Sequence, residues 1–165
     1  MSVTQVKNSM NKLNAELSNT LNSVNNLISV VNGGTVTTST IVVSPSNRLR
    51  LNLSALERDI KYLHSMTGVE LHILFKEYNT LLSKTIVEIG RLKILLGELI
   101  ESSRVLFTYC LFNMYAWAIV SGYYKIDYDL KKYIPKLSEF RTTLTRLQSA
   151  TTTNNSKLII RNNRG

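Results

Sequence analysis

The residues with the clearest chemical potential are the lysines and arginines near the C-terminal end. A cation that meets a phosphate releases condensed counterions, so a cluster of cations binds nucleic acid without sequence preference and loses affinity as salt rises. We therefore predict phosphate contacts at eight positions of this region: Lys131, Lys132, Lys136, Arg141, Arg146, Lys157, Arg161 and Arg164.

Two further cations, Arg48 and Arg50, alternate with leucines in a segment that favours a β-strand. On a strand they would share one face and grip adjacent phosphates. Four tyrosines are interleaved with the C-terminal cations (Tyr123, Tyr124, Tyr128 and Tyr133). They would either stack on bases or close the edge of a helical bundle, and we favour the second reading. The chain contains no motif that recognises specific bases, such as a zinc finger. We therefore expect contacts to the sugar-phosphate backbone of the nucleic acid.

Catalytic and metal-binding chemistry finds little support. The two histidines, His64 and His72, lie two helical turns apart without a nearby cysteine, whereas zinc needs three or four convergent ligands. Cys110 lies in an apolar run and is read as a buried thiol. Phosphate-loop and nucleophile motifs are missing from the sequence. We expect a protein that is not an enzyme and needs no cofactor.

The charge is distributed unevenly along the chain. Residues 1–53 carry four bases and one acid (4 − 1 = +3), residues 54–124 carry seven of each (7 − 7 = 0), and residues 125–165 carry nine bases and three acids (9 − 3 = +6). A neutral middle with basic flanks is typical of a packed body whose flanks meet a polyanion. A merely soluble basic surface is the alternative.

Residues 3–31 show apolar positions at alternating three- and four-residue steps, which predicts one amphipathic helix ending at Asn32-Gly33-Gly34. Asn, Ser and Thr fill its other faces, so the helix needs a partner for stability. The partner could be its own body, a second copy or a ligand surface, and the sequence leaves this open.

Residues 35–53 combine a β-branched run, a turn at Ser44–Asn47 and a period-two pattern over 48–53. We expect a β-hairpin or an extended connector there. The spacing Ser54-x-x-Glu57 is a capping box that predicts a helix over 55–66, and Thr67-x-x-Glu70 predicts a restart after Gly68.

Further helices are expected over 69–101, 104–123 and 136–149, with Pro135 in the first turn of the last. Gly90 and Gly97, inside the first of these, are interpreted as marks of close helix packing. Residues 151–156 are expected to form a loop, and the tail to 165 to be basic and flexible, with a short strand at 158–160.

The run from Val105 to Tyr124 contains no charged residue. Its length matches a membrane span, but polar residues dilute it, and we favour the central helix of a bundle over a membrane-associated protein. The first residues contain no apolar segment of the secretory type, so an intracellular or virion location is expected.

The sequence thus predicts a mainly α fold: a bundle of four or five helices with an N-terminal heptad arm (1–34), a β-hairpin or extended connector (35–53), a helical body (54–150) and a basic tail (151–165). The expected function is that of a self-assembling structural protein, a coat or capsid-type subunit that contacts the nucleic-acid backbone, with DNA favoured. A small helical subunit of a nucleoprotein complex is the alternative within the same class.

Overall fold

In a computed structural model, the described part of the chain forms four long helices. They are α1 (Val3–Asn32), α2 (Ser39–Met66), α3 (Lys76–Phe112) and α4 (Ala116–Arg164). The structure describes the backbone of residues 3–32, 39–66, 75–112 and 116–164, and the side chains of residues 3–32, 44–66, 75–102, 104 and 132–159. Within these ranges there is no strand, so the mainly helical prediction is confirmed.

Each helix buries one stripe of residues at alternating three- and four-residue steps. The stripe averages 3.5 residues per repeat, close to the 3.6 residues of a helical turn, so it stays on one side of the helix over many turns. In α2 it comprises Ser46, Leu49, Leu53, Leu56, Ile60 and Leu63, and in α4 it comprises Leu137, Phe140, Leu144, Leu147, Thr151, Asn154 and Leu158.

The helices form a closed ring in which each one packs against two neighbours. α1 contacts α2 and α4, and α3 also contacts α2 and α4. Neighbouring helices run antiparallel: Ser9 at the start of α1 bonds Met66 at the end of α2, and Asn52 near the middle of α2 bonds Ser23. The partner of the N-terminal helix, which the sequence left open, is therefore the rest of its own chain.

The predicted β element is wrong over residues 39–53, which are helical in α2. A strand would place Leu49, Leu51 and Leu53 on one face. The helix instead buries Leu49 and Leu53 completely and leaves Leu51 62% exposed. The segment is helical despite its local β propensity, because in a helix Leu49 and Leu53 continue the buried stripe of α2 without a break.

The predicted capping box at Ser54 is also wrong, because α2 begins at Ser39 and passes through this position. The Ser54 hydroxyl donates to the Arg50 carbonyl one turn earlier, at 3.2 Å, so it bonds within the helix and caps nothing. The predicted restart near Gly68 lies in residues 67–74, outside the described part of the chain.

The remaining differences are helix boundaries. α3 continues through the break predicted at 101–104, and α4 includes Pro135 and the segment 151–160, predicted as loop and strand. Thr151, Asn154 and Leu158 extend the buried stripe of α4, which explains why polar residues 151–156 are helical. The uncharged run 105–124 is divided between the end of α3 and the beginning of α4.

Polar groups inside the bundle are placed mainly where a partner is available. The Tyr78 hydroxyl lies 3.3 Å from the Thr151 hydroxyl, between α3 and α4, and burial raises the pKa of Tyr78. The buried hydroxyls of Thr20 and Thr85 donate to the carbonyls of Glu16 and Leu81 in their own helices. These bonds allow polar residues to occupy core positions of the stripes.

Candidate nucleic-acid interface

The described part of α4 is the most basic surface of the bundle. Between residues 132 and 159 it carries five exposed cations, Lys132, Lys136, Arg141, Arg146 and Lys157, against the single acid Glu139, a net charge of 5 − 1 = +4. Eight of the ten predicted site residues therefore lie on one helix, and the side chains of five of them are described.

Cations on the two sides of α4 have different surroundings. Lys132, Arg146 and Lys157 are separated by 14 and 11 residues, which are about four and three whole turns, so they share one side of the helix. Lys136 and Lys157 on this side line clefts between α3 and α4. Arg141 faces α1, where its Nη1 donates to Asn25 Oδ1 at 3.2 Å.

The Arg141 contact belongs to a regular series of polar pairs along the α1–α4 boundary. Gln148 donates to the Ser18 hydroxyl at 2.9 Å, and Asn155 donates to Asn11. The partners follow each other at seven-residue intervals on both helices (11, 18, 25 and 141, 148, 155). The partners on α1 are all uncharged, and no carboxylate among the described side chains is paired with Arg141.

A row of hydroxyl side chains lies between the two basic sides of α4. Its members repeat at four- and three-residue steps, on the face roughly opposite the buried stripe. We call it the hydroxyl row: Ser138, Thr142, Thr145, Ser149, Thr152 and Ser156. All but the half-buried Ser138 are exposed. The row contains no charged side chain, so nothing on it repels an approaching phosphate.

Four hydroxyls of this row have their hydrogens bound within the helix. Thr142, Thr145, Thr152 and Ser156 each donate to the carbonyl one turn earlier, at 2.9 to 3.2 Å. Their oxygens remain as acceptors, which cannot bind phosphate oxygens directly. The row therefore provides a smooth neutral strip, and the charge that attracts a polyanion comes from its flanks.

The structure separates Arg48 and Arg50 from the cations of α4. Both are exposed on α2, which packs on α1 and α3 and lies across the ring from α4. Because α2 is helical, residues two apart point about 200° from each other, so the prediction of one shared strand face fails together with the strand. Three other predicted residues, Lys131, Arg161 and Arg164, belong to the backbone of α4, but their side chains lie outside the described residues.

Four cations elsewhere in the described part of the bundle are paired with carboxylates, whereas Arg48, Arg50, Lys76, Lys84 and Arg91 are exposed and take part in none of these pairs. Asp59, only 6% exposed, lies 3.5 Å from both Lys12 Nζ and Arg58 Nε. Glu57 lies 3.7 Å from the ammonium groups of Lys61 and Lys93. In the side chains that the structure describes, no such pair involves a cation of α4.

Other candidate chemistry is sparse. Across the described residues, no three His, Cys, Asp or Glu side chains lie close enough together to hold a metal ion. His64 Nε2 lies 3.3 Å from the Ser83 hydroxyl on α3, while His72 and the Cys110 side chain are outside the described part. Tyr133 is half-buried against the core, in agreement with a tyrosine that closes the bundle edge.

No helix in the described portion of the chain is both long and apolar enough to cross a bilayer.

Neither the family models, nor the curated proteins, nor the solved structures that were compared with the chain gave a match.

The hydroxyl row and the polar pairs were missed at the sequence level. The hydroxyl row could have been recognised in the sequence, because Ser and Thr recur from residue 138 to 156 at the same alternating three- and four-residue steps as the buried leucines. The segment 151–156 was instead interpreted as a loop from its composition. The polar pairs left only seven-residue spacings on two distant segments, which become meaningful once those segments are known to be neighbours.

Proposed function

We propose that this chain is a structural, self-associating protein that binds the phosphate backbone of nucleic acid through α4. The contact surface would be the hydroxyl row with Arg141 on one side and Lys132, Lys136, Arg146 and Lys157 on the other. Binding would be independent of base sequence, and no catalytic step is part of the proposal.

The observation that carries the proposal is the concentration of exposed cations with a single acid among them on the described part of α4, where none of the described ion pairs lies. Lys12, Arg58, Lys61 and Lys93 are within 4 Å of carboxylates and contribute to the fold. The described cations of α4 are exposed, and Glu139 is the one acid among them from residue 132 to 159. Cations without counter-ions keep their full charge for a polyanion, and each phosphate contact then gains from counterion release.

The dimensions of the surface suit a duplex. Lys132 and Lys157 are 25 residues apart on one helix, a distance of about 38 Å at 1.5 Å per residue. One turn of duplex DNA advances about 34–36 Å. A helix lying along the backbone could therefore meet phosphates near both of its ends. The neutral hydroxyl row would permit close approach between them.

The proposal is tested by measuring the affinity for a short duplex of arbitrary sequence at about 50 mM and about 200 mM salt. Each phosphate contact adds about 0.9 to the slope of log affinity against log salt. The variant Arg141→Gln/Arg146→Gln/Lys157→Gln should lower that slope by about 2 to 3, and its helix content should remain unchanged.

A matched control removes the same charge from another part of the surface. Arg48→Gln/Arg50→Gln/Lys61→Gln also lowers the net charge by three, but on α2, across the ring from α4. We expect a much smaller change of slope. Equal losses for the two triple variants would contradict a role for α4 and would indicate non-specific attraction by net charge. A wild-type affinity that does not depend on salt would contradict nucleic-acid binding altogether.

The preference for DNA over RNA is also a proposal, and none of the residues of the contact surface would distinguish the two nucleic acids. Competition between duplex DNA and duplex RNA of the same length tests it, because backbone binding alone predicts similar affinities, and a preference requires contacts to the 2′-hydroxyl or to groove shape. Whether the chain assembles with itself or joins a larger nucleoprotein complex is tested by its mass in solution with and without the duplex.

A further inference from the structure

The outward face of α3 carries two exposed apolar side chains. Val87 is 55% exposed and Ile94 is 66% exposed. They are seven residues apart and therefore lie on the same side of the helix. Gly90 and Gly97 alternate with them along this side, and we call the four residues the α3 outer stripe. A water-facing helix surface normally presents polar residues here, so the stripe is an unpartnered apolar surface.

The two glycines have no packing role in their own chain. A Cβ atom built at Gly90 or Gly97 meets nothing within 4 Å. The sequence had suggested that these glycines permit close helix packing, and the described neighbours do not use them for that purpose. Glycine in the middle of a helix is less favourable than alanine. Together with the exposed Val87 and Ile94, this open space fits side chains that come from another molecule.

Charges beside the stripe indicate what that molecule is. Lys84, near its N-terminal end, and Glu98, near its C-terminal end, are both exposed and 14 residues apart, about four helical turns. They therefore lie along the same edge of the stripe, one basic and one acidic. A second α3 in antiparallel orientation would bring its Glu98 to Lys84 and its Lys84 to Glu98. The surface is thus complementary to itself.

We propose that two copies of the chain pair through the α3 outer stripe in antiparallel orientation. Ile94 of each copy would occupy the space above Gly90 of the other, and Val87 the space above Gly97. A parallel pair would place Lys84 beside Lys84 and Glu98 beside Glu98, which is unfavourable. Arg91, seven residues from both Lys84 and Glu98, lies near the two-fold axis of the antiparallel pair, where it lines a cleft with Glu88 and Glu139.

This inference rests on the self-association in the proposed function and names its surface, but it does not require nucleic-acid binding. Pairing through α3 would leave Arg141, which faces α1, and the hydroxyl row accessible, while Lys136, which lines a cleft with Ile94, would lie close to the pair. Two linked basic surfaces raise the effective concentration of the second contact on a long nucleic acid.

The experiment is sedimentation of the full chain over a wide range of protein concentration without nucleic acid. The wild type should form a dimer with a dissociation constant in the micromolar range, since one helix face buries less than a standard interface. Ile94→Gln should weaken the dimer by about tenfold or more, because the buried side chain becomes polar. Leu51→Gln is the matched control, an equally exposed apolar residue on α2, and should have no effect.

Charge reversal tests the orientation. Lys84→Glu alone and Glu98→Lys alone should each weaken the dimer, and the double variant Lys84→Glu/Glu98→Lys should restore it, because both partners are then reversed. A wild type that is monomeric at every concentration overturns the inference, and so does a double variant that is weaker than either single one. Salt-dependent binding of a short duplex by the Ile94→Gln monomer would show separately that the proposed function holds.

Discussion

The α2–α3 side and the α4 side of the bundle differ in how many carboxylates lie among their cations: the described side chains of α2 and α3 include six acids and nine bases, and those of α4 include one acid and five bases. On α2, Glu57 and Asp59 each lie close to two cations, and Asp59 is buried at the contact with α1. On the described part of α4, five cations surround an uncharged hydroxyl row, and the contact with α1 is made by neutral amides and hydroxyls together with Arg141.

The difference teaches that net charge alone is a poor guide to a binding surface. A cation near a carboxylate has part of its field cancelled, and releasing it for a phosphate costs the existing pair. A cation without a nearby carboxylate can bind a phosphate without first breaking an ion pair. The location of the carboxylates, more than that of the lysines and arginines, therefore distinguishes the two sides.

The largest expected effect is on stability, at the α2 side. Asp59→Ala removes the carboxylate that Lys12 and Arg58 share, and we expect a loss of about 2 kcal/mol in the free energy of unfolding, moderated because both cations are largely exposed. Urea unfolding followed by circular dichroism measures it. Affinity for the duplex should not fall, and a fall would show that the two sides are not independent.

A second change gives α4 the carboxylates that α2 already has. Thr145→Glu/Ser149→Glu places two acids in the hydroxyl row, four residues apart and beside Arg141 and Arg146. We expect a loss of duplex affinity of about tenfold, with the stability altered by less than about 0.5 kcal/mol at these exposed sites. Thr145→Gln/Ser149→Gln is the neutral control. Equal losses in both would assign the effect to size instead of charge.

Tyr78→Phe removes the hydrogen bond to Thr151 between α3 and α4. We expect a loss of about 1 kcal/mol at neutral pH. Burial raises the pKa of Tyr78 above its ordinary value of 10.0, so the folded state favours the protonated phenol. The stability that the protonated Tyr78 side chain gives the wild type is fully present below pH 10. It is lost as the pH rises above 10, because the tyrosine ionises in the unfolded chain before it ionises in the folded protein. Unfolding at pH 8 and pH 11 should therefore show the deficit of the variant shrinking at the higher pH.

The smallest effect concerns the hydroxyls themselves. Thr142→Ala/Thr145→Ala replaces two threonines whose hydroxyls donate to carbonyls of their own helix. Because alanine has the highest helix propensity, we expect the free energy of unfolding to rise by about 0.5–1 kcal/mol. Duplex affinity should change by less than about twofold. A larger loss would show that these hydroxyls contact the ligand directly and are more than a neutral strip.

The sequence predicted the helical class and the heptad pattern of α1 because a stripe that is apolar at every step except Thr20 repeats at three- and four-residue intervals from Val6 to Val31. It failed over 39–53, where local β propensity and the Leu49–Leu51–Leu53 alternation suggested a strand. The decisive signal was the continuation of the α2 stripe through Leu49 and Leu53, which becomes visible only when the leucines are counted in steps of three and four.

The candidate site was predicted in part. The C-terminal cations were identified by composition, but their grouping with Arg48 and Arg50 depended on the fold, and α2 and α4 lie across the ring from each other. The hydroxyl row was missed because polar segments such as 151–156 resemble loops. Helical packing at Thr151, Asn154 and Leu158 overrides that local tendency.

Lysine reactivity tests the central claim most directly. The protein is treated with an amine-reactive reagent with and without duplex DNA, and the labelling of each lysine is measured by mass spectrometry. Binding through α4 predicts protection of Lys132, Lys136 and Lys157 in the complex, while Lys12 and Lys61, at the contact of α1 and α2 and on α2, react as they do in the free protein. Protection of the second group, or equal protection of both groups, would contradict the account.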